Sequence, residues 1–220
     1  AHRPLFAQNA AGPQGSLRAV RFPFRFGDDD LDRLRQVIQG AVDQVAREFG
    51  EEVILVGRQE VLEPRLKALN TSGAPVRIVH APDVLEMEDK PVDAARKKPL
   101  NSMAVGLGLV KSGEAAAFVT AGNTGGAYFN AVTTLKRLSG IARPALTSLV
   151  PTRSGRCAFV DTGANADCRP EFLVEFALMG SIYAEKVLGI ASPRVGLLAN
   201  GEEAGKGNQL TKEAFHLLEK

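Results

Sequence analysis

The sequence predicts an α/β fold built on a doubly wound, mostly parallel sheet with helices on both faces, because short β-branched runs alternate with longer helical patterns. Two further observations support this. Most of the candidate strands are apolar throughout, the pattern of strands covered on both sides. Polar, glycine-containing loops follow several of them, as at the ligand-binding edge of such sheets.

The predicted strands are Glu52 to Val56, Val76 to Val79, Ala115 to Thr120, Ala145 to Val150, Cys157 to Val160 and Arg194 to Leu198. Helical periodicity covers Leu31 to Phe49, Pro99 to Lys111, Thr124 to Leu138, Pro170 to Leu188 and Ala204 to Leu218. Gly50, Gly113 and Gly189 stand where three of these helices would stop, since glycine enters the left-handed conformation without a Cβ penalty. The helix from Pro170 has the fullest signature. Asp167 is an available cap, proline suits a first turn, and Phe172, Phe176, Met179 and Tyr183 recur every three or four residues as a core stripe.

Composition narrows the function classes. The 220 residues are 45% hydrophobic and 24% charged, which is globular and argues against disorder. Basic and acidic residues nearly balance, 27 against 25, so a broad nucleic-acid-binding face is not expected. Cys157 and Cys168 have neither zinc-site spacing nor the density of a secreted disulfide scaffold; both read as packing residues in a cytoplasmic protein. No apolar run approaches the ~20 residues of a spanning helix. His2, His80 and His216 are scattered, no serine, histidine and acid arrangement stands out, and neither a metal cluster nor a cofactor motif is expected.

The chemistry must then lie in the loops. Ala121-Gly122-Asn123-Thr124-Gly125-Gly126 joins a strand to a helix, where glycines allow a tight turn and free N–H groups attract an anion such as phosphate. It is neither a Walker loop nor GxGxxG, and a Gly-Asn-Thr-Gly segment is often only a turn. Asp161-Thr162-Gly163-Ala164-Asn165-Ala166-Asp167 places carboxylates and an amide after another strand, to be read either as a site or as an Asx-turn at Asn165 with a cap at Asp167. Asn200 to Asn208 carries Lys206 between two glycines, a flexible charge suited to phosphate or simply solvated. His80 to Pro91 leads into Arg96-Lys97-Lys98, acids followed by bases, a pattern that usually marks a solvated surface.

Taken in order, these blocks resemble the PlsX family of acyl-carrier-protein:phosphate acyltransferases from about Val37 to Lys220. The resemblance rests on His80 to Pro91, Arg96 to Lys98, Asn101-Ser102-Met103, Ala121 to Gly125, Arg143-Pro144-Ala145-Leu146, Asp161 to Asn165 with Asp167, Pro170-Glu171, Phe176 to Ser181 with Tyr183, and Arg194 to Asn208. Residues 1–36 depart from it: where the family has an Asp-x-Met-Gly-Gly-Asp loop, this chain has Ala19 to Asp30 without the glycine pair. The resemblance implies a Rossmann-like fold related to isocitrate and isopropylmalate dehydrogenases and to phosphotransacetylases, with residues 37–220 forming a partial domain that lacks the family's C-terminal third. It also implies a cytoplasmic homodimer, peripheral at the membrane in full-length members, and transfer of a fatty acyl group from acyl carrier protein to orthophosphate. The product would pass to a membrane glycerol-phosphate acyltransferase.

In that chemistry a phosphate oxygen attacks a thioester, so positioning two anionic partners and stabilising an oxyanion should dominate. Gly122, Asn123, Thr124, Gly125 and Lys206 are the expected phosphate-binding residues. Asn123, Asn165 or Asn208 would donate to the oxyanion, and Asp161 would orient the lysine or an amide. Arg96, Lys97 and Lys98 form the expected docking patch for the acidic carrier. The same loops also suit a phosphate acetyl- or butyryltransferase using acyl-CoA, or a fragment that binds without turnover.

Overall fold

The computed structural model describes residues 19–21, 39–40, 42–48, 50–69, 73–120, 122–153, 155–201 and 206–219. They divide into two compact units whose boundary in sequence falls between Lys136 and Arg137.

The first unit is a parallel sheet with helices on both faces. Strands β1 (Ala19–Arg21), β2 (Val53–Gly57), β3 (Val76–His80) and β4 (Ala117–Val119) are hydrogen-bonded in the order β3-β2-β1-β4. Every neighbouring pair is parallel, with Val20 opposite both Ile54 and Phe118. The continuous apolarity of β2 has the meaning expected from sequence. Val53 and Leu55 pack with Ala46, Leu62 and Leu69 on one face, while Ile54 and Val56 pack with Ala81, Ala115, Val105 and Leu109 on the other. These four strand side chains are at most 1% exposed, each contributing about 1.5–3 kcal/mol of burial.

The helices of this unit are α1 (Gln59–Lys67), α2 (Pro91–Lys97), α3 (Ser102–Ser112) and α4 (Thr124–Leu135), with a π-helical segment at Val42–Glu48. Helix α3 starts at its Asn101 cap and ends at Gly113, left-handed at φ 81°, as the sequence predicts. Helices α1 and α2 are additions to the sequence reading. An internal proline, Pro64, interrupts the apolar spacing of α1, and α2 has only seven residues. Strand β1 is another addition: it falls in the segment that departs from the family pattern yet lies between β2 and β4. The remainder of the predicted Leu31 to Phe49 helix lies largely outside the described residues.

In the second unit, β5 (Thr147–Thr152) and β6 (Gly155–Val160) form an antiparallel two-stranded sheet, against which α5 (Pro170–Lys186) packs; α6 (Gln209–Leu218) packs on α5. This corrects the expectation that both strands are buried in the parallel sheet. Thr152 pairs with Gly155, and a link of two residues can only return the chain antiparallel, since a parallel connection needs about a dozen. A second correction concerns Arg194 to Leu198, which forms no strand and leaves Leu198 72% exposed; no described strand runs beside it to complete a ladder. Phe172 and Phe176 are buried on α5 as expected, but its cap position is Arg169 and not Asp167. Helix α6 starts after Asn208; Ala204, the predicted start, lies outside the described residues. Among the described residues no helix is long and apolar enough to cross a membrane.

Candidate active site

In the first unit the glycine loop is organised by Asn123, 8% exposed, at the cap position of α4. Its Oδ1 accepts the Gly126 N–H at 2.9 Å. Its Nδ2 is shared among the carbonyls of Glu86, Met87 and Asp89 at 3.1–3.2 Å. The amide therefore fastens the 86–89 turn to the start of α4, and its donors are engaged there rather than facing outward. Gly122 N–H donates to Thr120 Oγ1 at 3.2 Å. The N–H groups of Thr124 and Gly125 remain in the first turn, where a helix offers no internal acceptor. Gly125 also meets α2: a Cβ on it would lie 2.5 Å from Pro91 Cγ.

The basic run is joined to the same turn. Lys98 Nζ contacts Asp89 Oδ2 at 2.6 Å, and that oxygen also accepts the Glu86 N–H at 2.8 Å. The hydrogen bond from Lys98, then that from Glu86, hold the Asp89 carboxyl below the usual carboxylate range despite the opposing cost of desolvation. Lys98 is thus part of the clamp, while Arg96 and Lys97 are exposed in the last turn of α2, where cations suit the helix dipole.

Two buried amides to which the sequence reading assigned no role join this region, Asn101 from the family-like Asn101-Ser102-Met103 block and Asn130 from α4. Asn101, fully buried, caps α3 through Ala104 N–H at 3.0 Å, and its Nδ2 donates to Lys98 O at 2.7 Å and Asn130 Oδ1 at 3.3 Å. Asn130, 4% exposed on α4, donates to Gly126 O at 2.8 Å. The available signal was a lone asparagine inside an otherwise apolar helix stretch, since a buried amide needs a partner.

In the second unit Asp161 is a hub. Oδ1 accepts the N–H groups of Leu146 at 2.7 Å and Ala164 at 3.2 Å; Oδ2 accepts Asn165 N–H at 2.8 Å and Asn165 Nδ2 at 3.3 Å. Asn165 Nδ2 also donates to Pro144 O at 2.9 Å. The Asx-type turn is therefore made by Asp161, and Asn165 is its recipient. Desolvation pushes the Asp161 carboxyl upward, but hydrogen bonds from Leu146, Asn165 and Ala164 outweigh it and hold the group below its ordinary range. Further along, Asn200 Oδ1 accepts Gly207 N–H at 3.0 Å, and Asn208 caps α6 by accepting Thr211 N–H at 2.9 Å. Lys206 is exposed immediately before them.

These depressed carboxylates set an acid limit. Asp161 and Asp89 contribute stability that is present above the unfolded carboxylate pKa of about 3.9 and is lost as pH falls through their folded values. Urea midpoints measured from pH 6 to pH 2 are expected to fall in that window, with Asp161→Asn flattening the fall; an Asp161→Asn profile parallel to that of the unaltered chain would remove Asp161 as a cause.

A parallel sheet with helices on both faces, and glycine- and amide-rich loops between its elements, defines the class: an α/β protein. The EutD phosphotransacetylase from Staphylococcus aureus superposes with TM-score 0.64 over 93% of this chain and 64% of its own, at 18% identity. A family described as "Fatty acid synthesis protein" matches residues 27–220. The phosphate acyltransferase of Desulforamulus reducens is 46% identical over 185 residues, 84% of this chain and 55% of that protein. That of Geobacter sulfurreducens is 47% identical over 181 residues, 82% of this chain and 52% of that protein. The chain belongs to this fatty acid synthesis protein family, the PlsX family, and spans about half the length of the curated relatives it matches.

Proposed function

We propose that the chain carries phosphate-binding and acyl-transfer elements of an acyl-carrier-protein:phosphate acyltransferase, acting in the cytoplasm as part of a homodimer with a Rossmann-like fold. Membership of the phosphate acyltransferase family carries this reading. The first-turn N–H groups of Thr124 and Gly125 in the first unit, and separately the charge of Lys206 in the second, each offer anion-binding chemistry consistent with it.

In the proposed reaction a phosphate oxygen attacks the thioester carbonyl and forms the new C–O bond. Collapse of the tetrahedral adduct breaks the C–S bond, and the carrier thiolate leaves, to be protonated to the thiol. Phosphate is already anionic near neutral pH, so the protein's task is positioning and oxyanion stabilisation rather than strong base catalysis. The donors of Asn123 and Asn165 are engaged internally, which favours Asn208 as the amide facing the oxyanion. Asp161 orders the 161–165 loop, Gly122 allows the turn before α4, and Arg96 and Lys97 offer the exposed charges for an acidic carrier.

The test is acyl phosphate formation by the full chain with acyl carrier protein or acyl-CoA as donor. Carrier-dependent turnover supports the reading, CoA-dependent turnover favours a phosphate acetyl- or butyryltransferase, and binding without turnover favours a noncatalytic role. Lys206→Ala should raise the phosphate KM by about tenfold or more, the cost of a charge-assisted hydrogen bond, with little change in Tm. An unchanged phosphate KM would reject the role of Lys206.

A further inference from the structure

We infer that Asn101 and Asn130 are positioning residues that hold the first turn of α4 in the geometry that receives phosphate, an inference that rests on the function proposed above. The observation is a buried amide chain with definite ends. It runs from the Lys98 carbonyl through Asn101 Nδ2, on to Asn130 Oδ1, and from Asn130 Nδ2 to the carbonyl of Gly126. Both side chains are more than nine-tenths buried. Capping alone does not account for this arrangement, because Asn101 already caps α3 with its oxygen and still spends its amide protons on Lys98 and on another helix.

The two ends of the chain lie on the elements that the proposed site needs fixed. Gly126 is the residue directly after Gly125, and its own N–H is held from above by Asn123 Oδ1 at 2.9 Å. Asn130 holds the carbonyl of that same peptide-bearing residue from below at 2.8 Å. Gly126 is therefore gripped on both its donor and its acceptor, and the orientation of the preceding Thr124 and Gly125 N–H groups follows from that grip. Gly126 is also closely packed, since a Cβ there would lie 3.1 Å from Leu85 Cδ1 and 3.5 Å from Met103 Sδ, so the amide chain acts on a backbone already set against α3. Loss of either amide should let the turn rotate while the helix itself persists. Neither residue touches the phosphate; each acts through the backbone.

The test uses the full chain and inorganic phosphate as the probe, read by the amide resonances of Thr124 and Gly125. Asn101→Ser keeps an oxygen to cap α3 but removes the link to Asn130, and Asn130→Ala removes the grip on Gly126. Each is expected to raise the phosphate Kd by about fivefold, the worth of one hydrogen bond in affinity. The double variant is expected to be no weaker for phosphate than the worse single variant, because both act through one chain of bonds. Urea midpoints provide the structural readout and should not follow the Kd pattern. A Kd within twofold of the unaltered chain in a folded Asn101→Ser or Asn130→Ala variant overturns the positioning role alone. Failure of phosphate to shift the Thr124 and Gly125 resonances in the unaltered chain overturns both this inference and the phosphate site on which it rests.

Discussion

Gly125→Ala is expected to lower stability by about 1–2 kcal/mol, whereas Gly108→Ala is expected to raise it by about 0.5–1 kcal/mol. Both glycines are helical, and on propensity alone alanine is the better residue at each. The surroundings decide the sign. Nothing lies within 4 Å of a Cβ built on Gly108, but one built on Gly125 meets Pro91 Cγ at 2.5 Å and Pro91 Cβ at 3.2 Å. The proline ring cannot rotate away, and it forms the first turn of α2, so relief requires moving one helix against the other. Overpacking of this kind exceeds the propensity gain of about 1 kcal/mol. Urea melts of the two variants would show shifts of opposite sign; a Gly125→Ala chain as stable as the unaltered one would mean that the α2 contact yields freely. In sequence, Gly125 reads as part of a tight turn that binds phosphate. The helix contact adds a second role, so loss of phosphate binding in a Gly125 variant would not identify a site, and Lys206 is the better probe.

The parts of the fold that were legible in sequence are those in which one physical requirement dominates. Strand β2 is buried on both faces and its apolar run says so, while Gly113 ends α3 because the backbone there needs a positive φ. Helix α1 was hidden because Pro64 breaks its spacing, and β1 because three residues carry too little pattern to stand out between polar and aromatic neighbours. The direction of β5 and β6 was available from the shortness of their link. It was lost because apolarity was given more weight than chain geometry. In Arg194 to Leu198 local β-propensity met no pairing strand among the described residues, which is why propensity alone misleads for strands.

The candidate loops were legible as loops, but the roles of their side chains were not. An asparagine that caps a helix and one that faces a substrate have the same letter and the same setting after a strand. Only the partners distinguish them: the carbonyls of Glu86, Met87 and Asp89 engage Asn123, and Pro144 and Asp161 engage Asn165. Lys98 likewise read as one of three equivalent surface charges until Asp89 was found beside it. Asn130 lies 29 residues from Asn101, and no local pattern could pair them.

Asp161→Ala is expected to cost about 3–4 kcal/mol and to loosen the entrance to β5 as well as its own loop. The carboxylate accepts four N–H groups, from Leu146, from Ala164 and twice from Asn165, so its removal strands donors on two separate segments. A donor left unsatisfied costs about 1–3 kcal/mol when buried, and partial solvent access here keeps the sum below four full penalties. Asp161→Asn tests charge and geometry apart from volume. The amide retains one acceptor oxygen but turns its own N–H groups toward two of the same donors, so the isosteric change should cost about 2–3 kcal/mol. Urea denaturation gives the magnitudes, and hydrogen exchange at the Leu146 and Asn165 amides shows where protection is lost. If both variants hold their urea midpoints and those amides stay protected while acyl phosphate formation collapses, Asp161 is a catalytic carboxylate and not the structural hub of its loop. Loss of protection at Leu146 together with Asn165 would instead tie the activity of the loop to the four hydrogen bonds that shape it.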